Sequence, residues 1–313
     1  MIVDLFCGAG GASEGIRQAL DRSPDLAIDG CALACCSHSY NHKSKLICAD
    51  IGKIGAKKIK KYTEGKDIEL LWASPPCTEF SRIKLGEKNK DIAELVYTPL
   101  TWIENASVEN LIIENVLDLR NYDQYNILLD KLSKRFRRVE THIVKHRDCG
   151  GATMRERLFI IARNTNFNLC FDKQKSKPAQ DYLDEKNVAW KPLISKDVRF
   201  MAAIDQYDPL GILGEDFFCS KTLFPCAYPI TGLFPTITTK SYHQACLISA
   251  DKTHYRLFSA IELARLQGLY GFYFCEFVGA DKIIKQIGNA VPPSMAKTVV
   301  EALKLDKGAE NER

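Results

Sequence analysis

The chain has 313 residues, 46% hydrophobic and 26% charged, with a formal net charge of +4. This is ordinary globular composition in a length suited to one large domain or two modest ones, and it excludes disorder, collagen and coiled coil. No apolar run approaches the ~18 residues of a membrane span, and the opening MIVDLFCGAGG is neither a signal nor a transit peptide, so a soluble, cytoplasmic protein is expected.

The first half alternates short apolar runs with helical patterns. Strands are expected over Ile2–Phe6, Ala27–Cys35, Leu46–Ala49, Glu69–Ala73, Leu111–Glu114, Val139–Val144 and Leu158–Ala162. Helices are expected over Ala12–Leu20, Asp91–Glu104 and Gln124–Phe136. This alternation predicts an α/β fold with a doubly wound, largely parallel sheet, whose chemistry belongs at the carboxyl ends of the strands. From about residue 165 to 255, proline and glycine punctuate the chain and short β-like runs (Thr236–Thr239, Ala245–Ile248) replace the alternation. A smaller, irregular, strand-rich domain is expected there. Helical patterns resume over Ser259–Leu269 and Pro293–Leu305, the second opening on proline, which suits a first helical turn. The expected organisation is therefore 1–164, 165–255 and a C-terminal segment 256–313 that returns to the first domain.

The 12 cysteines are scattered, and Cys31, Cys35 and Cys246 lie in apolar runs, which reads as free thiols in a reducing compartment. Cys31, Cys35, Cys36, His38 and His42 lack the paired spacing of a zinc site, so no metal is expected. Lys53–Lys61 and Lys131–Arg147 are basic stretches and Ile83–Asp91 is a lysine-rich loop. The mild net basicity permits nucleic-acid binding without demanding it.

Four polar signatures stand out. Asp4-Leu5-Phe6-Cys7-Gly8-Ala9-Gly10-Gly11 follows a strand and opens a helix, where free N–H groups and bare backbone can approach a ligand. Ser13 stands where a dinucleotide fingerprint needs glycine, and no lysine marks a P-loop, so a nucleoside-type ligand without a bound phosphate fits best. Ser74-Pro75-Pro76-Cys77 holds a thiol stiffly at the end of a strand, as a nucleophile would be presented. Glu114 ends a buried strand, where a carboxylate needs a partner or a ligand. Arg155 and Arg157 run into the strand Leu158–Ala162, and an i, i+2 spacing there turns both toward one side.

These signatures, in this order and with Gly288-Asn289-Ala290-Val291-Pro292-Pro293 near the end, resemble the cytosine-C5 DNA methyltransferase family. Arg256-Leu-Phe-Ser-Ala-Ile-Glu262-Leu-Ala-Arg265-Leu-Gln267 is similar to the family's R-x-x-[ST]-x-x-E-x-x-R-L-Q helix. The resemblance implies a catalytic domain like that of other S-adenosylmethionine enzymes, plus a target-recognition domain. It implies that Cys77 is the nucleophile adding to C6 of a flipped-out cytosine, that Glu114 holds N3 and N4, and that Arg157, supported by Arg155, reaches O2. Phe6, Gly8, Gly10, Gly11, Asp50, Ile51, Pro75, Asn289, Ala290 and Val291 are implied to bind S-adenosylmethionine, and Ser81, Thr236 and Ile237 to meet DNA.

The implied partner is double-stranded DNA at a short specific sequence, with a restriction endonuclease sharing that sequence, and the protein is expected to act as a monomer. An RNA-directed relative resembling the tRNA cytosine methyltransferase and a non-catalytic DNA-binding relative are the rivals. The variable region has no Cys-Phe-Thr tripeptide of the tRNA subgroup, and a mere binding module would not need Cys77, Glu114 and Arg157 together. The family's usual acidic residue after the second strand has no counterpart in Ala34-Cys35-Cys36-Ser37-His38, and its usual glutamines are Thr78 and Thr153 here.

Overall fold

In the computed structural model, residues 1–76, 93–184, 189–193, 217–220, 226–239, 245–275 and 279–305 are described. The chain divides into two compact units: residues 1–145, 156–172 and 295–313 form the first, and residues 146–155 and 173–294 the second.

The first unit is built on seven strands: β1 (Ile2–Leu5), β2 (Leu26–Asp29), β3 (Lys45–Cys48), β4 (Ile68–Ala73), β5 (Val108–Asn115), β6 (Arg138–Lys145) and β7 (Glu156–Arg163). Their order is β3-β2-β1-β4-β5-β7-β6. All neighbours are parallel except β7, which runs antiparallel to both β5 and β6. Strand β1 is buried throughout, as a parallel strand covered on both faces must be. Helices α1 (Gly11–Leu20), α2 (Ala32–Asn41), α3 (Ala56–Thr63), α4 (Thr98–Asn105) and α5 (Asp123–Ser133) supply the crossovers. On α1 the buried set Ala12, Ile16, Ala19 and Leu20 repeats at helical spacing, so one face packs on the sheet. The order reverses at β1, between β2 and β4, and Leu5 pairs with Ala73, which in turn pairs with Ile113. Phe6, Ser74 and Glu114 therefore emerge side by side at one end of the sheet, the position where open α/β sheets bind ligands.

The second unit carries a five-stranded antiparallel sheet of β8 (Lys191–Pro192), β9 (Phe217–Ser220), β10 (Cys226–Pro229), β11 (Ala245–Ile248) and β12 (His254–Leu257), in the order β10-β9-β11-β12-β8. Helices α6 (Ala260–Leu266) and α7 (Ala280–Asn289) belong to it, and α8 (Pro293–Ala302) begins at its edge. Phe234, Ile237, Leu247, Phe258, Leu263, Ile284 and Ile287 form one core. That shared core explains why residues 256–294, expected to return to the first domain, cluster with the second unit. The return starts at Met295. The change of texture at 165 lies close to residue 173, where the chain leaves the first unit.

The R-x-x-S-x-x-E-x-x-R-L-Q stretch earns its spacing structurally. Ser259 and Glu262 form a reciprocal capping box at the start of α6. The buried Glu262 carboxylate also receives both terminal nitrogens of Arg256, at 3.0 and 2.9 Å. Arg265 pairs with Asp184 at 2.6 Å, and Gln267 donates to the Ala290 carbonyl at 2.9 Å.

Three expected elements need correction. The strand expected over Ala27–Cys35 stops at Asp29, and the rest of that run is α2. Asp29 Oδ1 takes the Cys31 N–H at 2.7 Å and Cys35 N–H bonds to the Cys31 carbonyl, so the chain turns into a helix. Short apolar runs do not distinguish a buried strand from a buried helix. Of the three cysteines in apolar runs, Cys31 is exposed, whereas Cys35 and Cys246 are buried. Residues Thr236–Thr239 form no strand, because Arg155 donates to the Ile237 carbonyl there and Gly288 packs against the 238–239 peptide. Of the helix expected over Asp91–Glu104, residues 91–92 lie outside the described set and a 3-10 turn, Leu95–Tyr97, precedes α4. No helix among the described residues is long and apolar enough to cross a membrane.

Candidate active site

The strand ends of the first unit gather four features. The first is the turn from β1 into α1. Phe6, Gly8 and Gly10 all have left-handed backbone, at φ 59°, 56° and 102°. For Phe6 this costs on the order of 1–2 kcal/mol, strain of a kind that concentrates at binding sites. A Cβ on Gly10 would clash with the His42 ring, whereas one on Gly8 would meet nothing within 4 Å. Gly10 is thus closed on its inner side, and Gly8 borders open space. The N-terminus of α1 has no side-chain cap.

The second feature is a buried polar chain beneath that turn. The Ser13 hydroxyl donates to Asp4 Oδ2 at 2.6 Å and meets His38 Nε2 at 3.0 Å, with the His42 ring 4.7 Å from that of His38. Burial pushes the Asp4 carboxyl up to about 7 and His38 down to about 3. Burial also pushes the Cys7 thiol well up, which makes it a poor nucleophile.

The third is Asp29, at the carboxyl end of β2. Its Oδ2 takes the Gly8 N–H at 2.9 Å while Oδ1 takes that of Cys31, and burial raises its pKa. Asp29 ends β2, with Asp29-Gly30 as the turn signal there, a position that a strand expected to run on to Cys35 leaves in its interior. Asp50 follows β3, exposed, with its carboxylate accepting from Gly52 N–H at 3.1 Å and pairing with Lys53 at 3.1 Å, while Ile51 is buried.

The fourth is the end of β4 and β5. Ser74 N–H bonds to the Leu5 carbonyl at 3.1 Å, and the Ser74 hydroxyl accepts from Trp72 Nε1 at 2.9 Å. Asn115 Nδ2 donates to the Pro75 carbonyl at 3.2 Å, a tether that the sequence alone did not single out. Glu114 faces Phe159 across β5 and β7, and Arg157 lies two residues along on the same face, so the diagonal pair can meet. Arg157 Nε sits 3.1 Å from Glu114 Oε1, with both side chains largely buried.

Cys77, Ser81 and the lysine-rich loop Ile83–Asp91 lie outside the described residues. Arg155 is separated from Arg157: it precedes β7, belongs to the second unit, and donates to the Ile237 and Gly288 carbonyls at 3.0 Å each. The i, i+2 rule for strands therefore does not reach it. His146, which burial holds at about 3, bonds Thr153 at 2.7 Å beside Arg155. Ile237 is fully buried and Thr236 half-buried. Asn289, Ala290 and Val291 are in the second unit, with the Ala290 carbonyl held by Gln267.

M.NlaX, a type II methyltransferase of Neisseria lactamica, is 25% identical to this chain over 332 residues, covering 100% of this chain and 98% of that protein. M.BsuFI, a type II methyltransferase of Bacillus subtilis, is 25% identical over 325 residues, covering 96% of this chain and 72% of that protein. Among solved structures, the Entamoeba histolytica methyltransferase EhMeth shares the fold at a TM-score of 0.69 and 18% identity, covering 96% of this chain and 97% of that one. The family described as C-5 cytosine-specific DNA methylase matches residues 1–305. With the strand order, the glycine turn and the Glu114–Arg157 pair in place, the chain belongs to the C-5 cytosine-specific DNA methylases and is a DNA cytosine-5 methyltransferase.

Proposed function

We propose that the chain methylates C5 of a cytosine flipped out of a specific duplex DNA sequence, through a covalent adduct between Cys77 and cytosine C6. The observation that carries this reading is the Glu114–Arg157 pair at 3.1 Å, on the strand whose Asn115 tethers Pro75, two residues before Cys77.

C5 of an unactivated cytosine is a weak nucleophile. Addition of the Cys77 thiolate to C6 places electron density on C5 and splits one hard step into easier ones. Glu114, meeting N3 and N4, favours the protonated ring that accepts the thiolate, and Arg157, meeting O2, offsets charge that builds there. Donors fixed before the reaction need no reorganisation as charge develops. Removing the C5 proton then allows the Cys77–C6 bond to break. Extruding the base costs roughly a few kcal/mol.

The open space beside Gly8 and the uncapped start of α1, with no basic residue to hold a phosphate, suit a nucleoside-bearing methyl donor. S-adenosylmethionine, which would supply an electrophilic methyl on its sulfonium, is assigned to Phe6, Gly8, Gly10, Gly11, Asp50, Ile51 and Pro75. The resemblance alone adds Asn289, Ala290 and Val291 to that set, and Ser81, Thr236 and Ile237 to the DNA contacts. Arg155 acts as a positioning residue through the backbone of Ile237 and Gly288. A cytoplasmic monomer paired with a cognate restriction endonuclease completes the reading.

The test is a parallel methyl-transfer assay on duplex DNA and tRNA, with methylated positions mapped by sequencing. Methylation of DNA at one recurring sequence is expected, and preference for tRNA would overturn the assignment. Cys77→Ser is expected to lose methylation while retaining binding of cofactor and DNA; methylation at the wild-type rate would remove Cys77 from the mechanism.

A further inference from the structure

Asp29 and Cys48 are register partners at the carboxyl ends of β2 and β3. The Asp29 carbonyl accepts two groups: the Ala49 N–H at 2.9 Å, and the Cys35 thiol, with Sγ at 3.5 Å, from the first turn of α2. Both cysteines therefore neighbour one residue, Cys48 as the register partner of Asp29 and Cys35 through its thiol on the Asp29 carbonyl. Cys48 is exposed and Cys35 is buried, so one thiol of the pair is open to a small solute and the other is shielded. Burial also pushes the Cys35 thiol up and keeps it protonated, which leaves Cys48 as the first point of attack.

We propose that Cys35 and Cys48 form a modification site for hydroperoxides, closing to an intramolecular disulfide at the edge of the cofactor pocket. In the first step the Cys48 thiolate attacks one peroxide oxygen. The O–O bond breaks, the departing hydroxide takes a proton and leaves as water, and Cys48 becomes a sulfenic acid. In the second, the Cys35 sulfur attacks the Cys48 sulfur. The S–O bond breaks, and the oxygen leaves as water with the Cys35 thiol proton. Two thiols and one hydrogen peroxide thus give one disulfide and two waters. The sulfur pair is oxidised by two electrons and the peroxide reduced by two.

The location gives the modification a consequence. Asp29 holds the Gly8 N–H through its side chain, and a Cβ on Gly30 would meet the Ala49 carbonyl at 3.6 Å and Asp50 Cα at 4.0 Å. A bond of about 2.05 Å between the two sulfurs ties the first turn of α2 to the end of β3, next to these segments. This consequence rests on the assignment of Gly8 and Asp50 to S-adenosylmethionine; the disulfide itself does not.

The experiment treats the reduced full-length chain with hydrogen peroxide, blocks remaining thiols and maps peptides without reduction. A Cys35–Cys48 linked peptide lighter by two hydrogen atoms is expected, reversed by dithiothreitol, retained in Cys31→Ser and lost in Cys48→Ser. A link from Cys48 to Cys31, Cys48 carried to sulfinic acid without a link, or two unmodified thiols would each overturn the site. Calorimetry with S-adenosylmethionine on the same samples is expected to show binding to the reduced chain and several-fold weaker binding to the linked one. Equal affinities refute the coupling, whereas a reduced chain that does not bind refutes the cofactor assignment and leaves the linked peptide to judge the thiol pair.

Discussion

Arg155 and Arg157 are separated by one residue and belong to regions with different physics. In the second unit, Arg155 is buried and spends its guanidinium on the Ile237 and Gly288 carbonyls. In the first, Arg157 lies at the open end of the sheet against the Glu114 carboxylate. A guanidinium whose partners are backbone carbonyls supports the fold, because its removal strands buried acceptors. One whose partner is a carboxylate beside a strand end can share its charge with a ligand. The same residue type is therefore expected to fail in two different assays when removed.

The largest effect should come from the carboxylate. Glu114→Gln is expected to lower single-turnover methylation by on the order of 10²–10³-fold, the scale of losing one preorganised charge-stabilising group. Its melting temperature should stay near wild type. Wild-type turnover would break the assignment of this sheet end to chemistry. Next is Arg155→Ala, which should destabilise the second unit by about 3 kcal/mol, seen as faster amide exchange around Ile237 and Gly288. Arg157→Ala should cost less, about 2 kcal/mol, because the largely buried Glu114 carboxylate it leaves unpaired lies at the open end of the sheet, where water can reach it. Equal losses from the two arginines would erase the distinction.

The glycine turn sharpens the comparison within the first unit. Gly10→Ala combines a φ of 102° with a clash against His42 and should cost about 2 kcal/mol in urea unfolding. Gly8→Ala meets open space and should cost nearer 1 kcal/mol, yet weaken binding of S-adenosylmethionine in calorimetry. Unchanged affinity in Gly8→Ala would move the ligand away from this turn.

The effect hardest to see in the wild-type chain is a near-cancellation of two opposed slopes. Folded His38 titrates at about 3 and folded Asp4 at about 7, below and above their ordinary values. Between about pH 4 and 6.5, unfolding takes up a proton at His38 and releases one at Asp4, so the pair leaves stability nearly level. His38→Gln keeps only the release, and relative to wild type its stability should fall as pH rises from about 4 to 7. Asp4→Asn keeps only the uptake, and its stability should rise from about pH 3 to 6.5. Parallel pH profiles for both variants would show that the chain Asp4–Ser13–His38 does not hold these groups neutral.

Much of this was legible before any coordinates. Strands β1, β4, β5 and β7 lie within one to three residues of the apolar runs that announce them, because a strand covered on both faces carries a short apolar run at its centre, while polar residues such as Glu109, Asn110, Glu156 and Arg163 blur its ends. The family assignment rested on motifs whose order survives any shift of boundary. The R-x-x-S-x-x-E-x-x-R-L-Q spacing was visible too, although its role as a capping box and ion-pair lattice was not.

Composition and order along the chain were enough to specify the class of fold, the family and the residues worth watching, since hydrophobic period and glycine-proline punctuation are local properties. Which side chain faces which was left to packing. Whether Arg155 meets a carboxylate or two carbonyls, whether Asp29 or a later residue ends β2, and whether Cys35 reaches Cys48 all depend on contacts between segments distant in sequence. Such contacts are chosen by burial and hydrogen-bond satisfaction of the assembled chain, and no single stretch of residues encodes them.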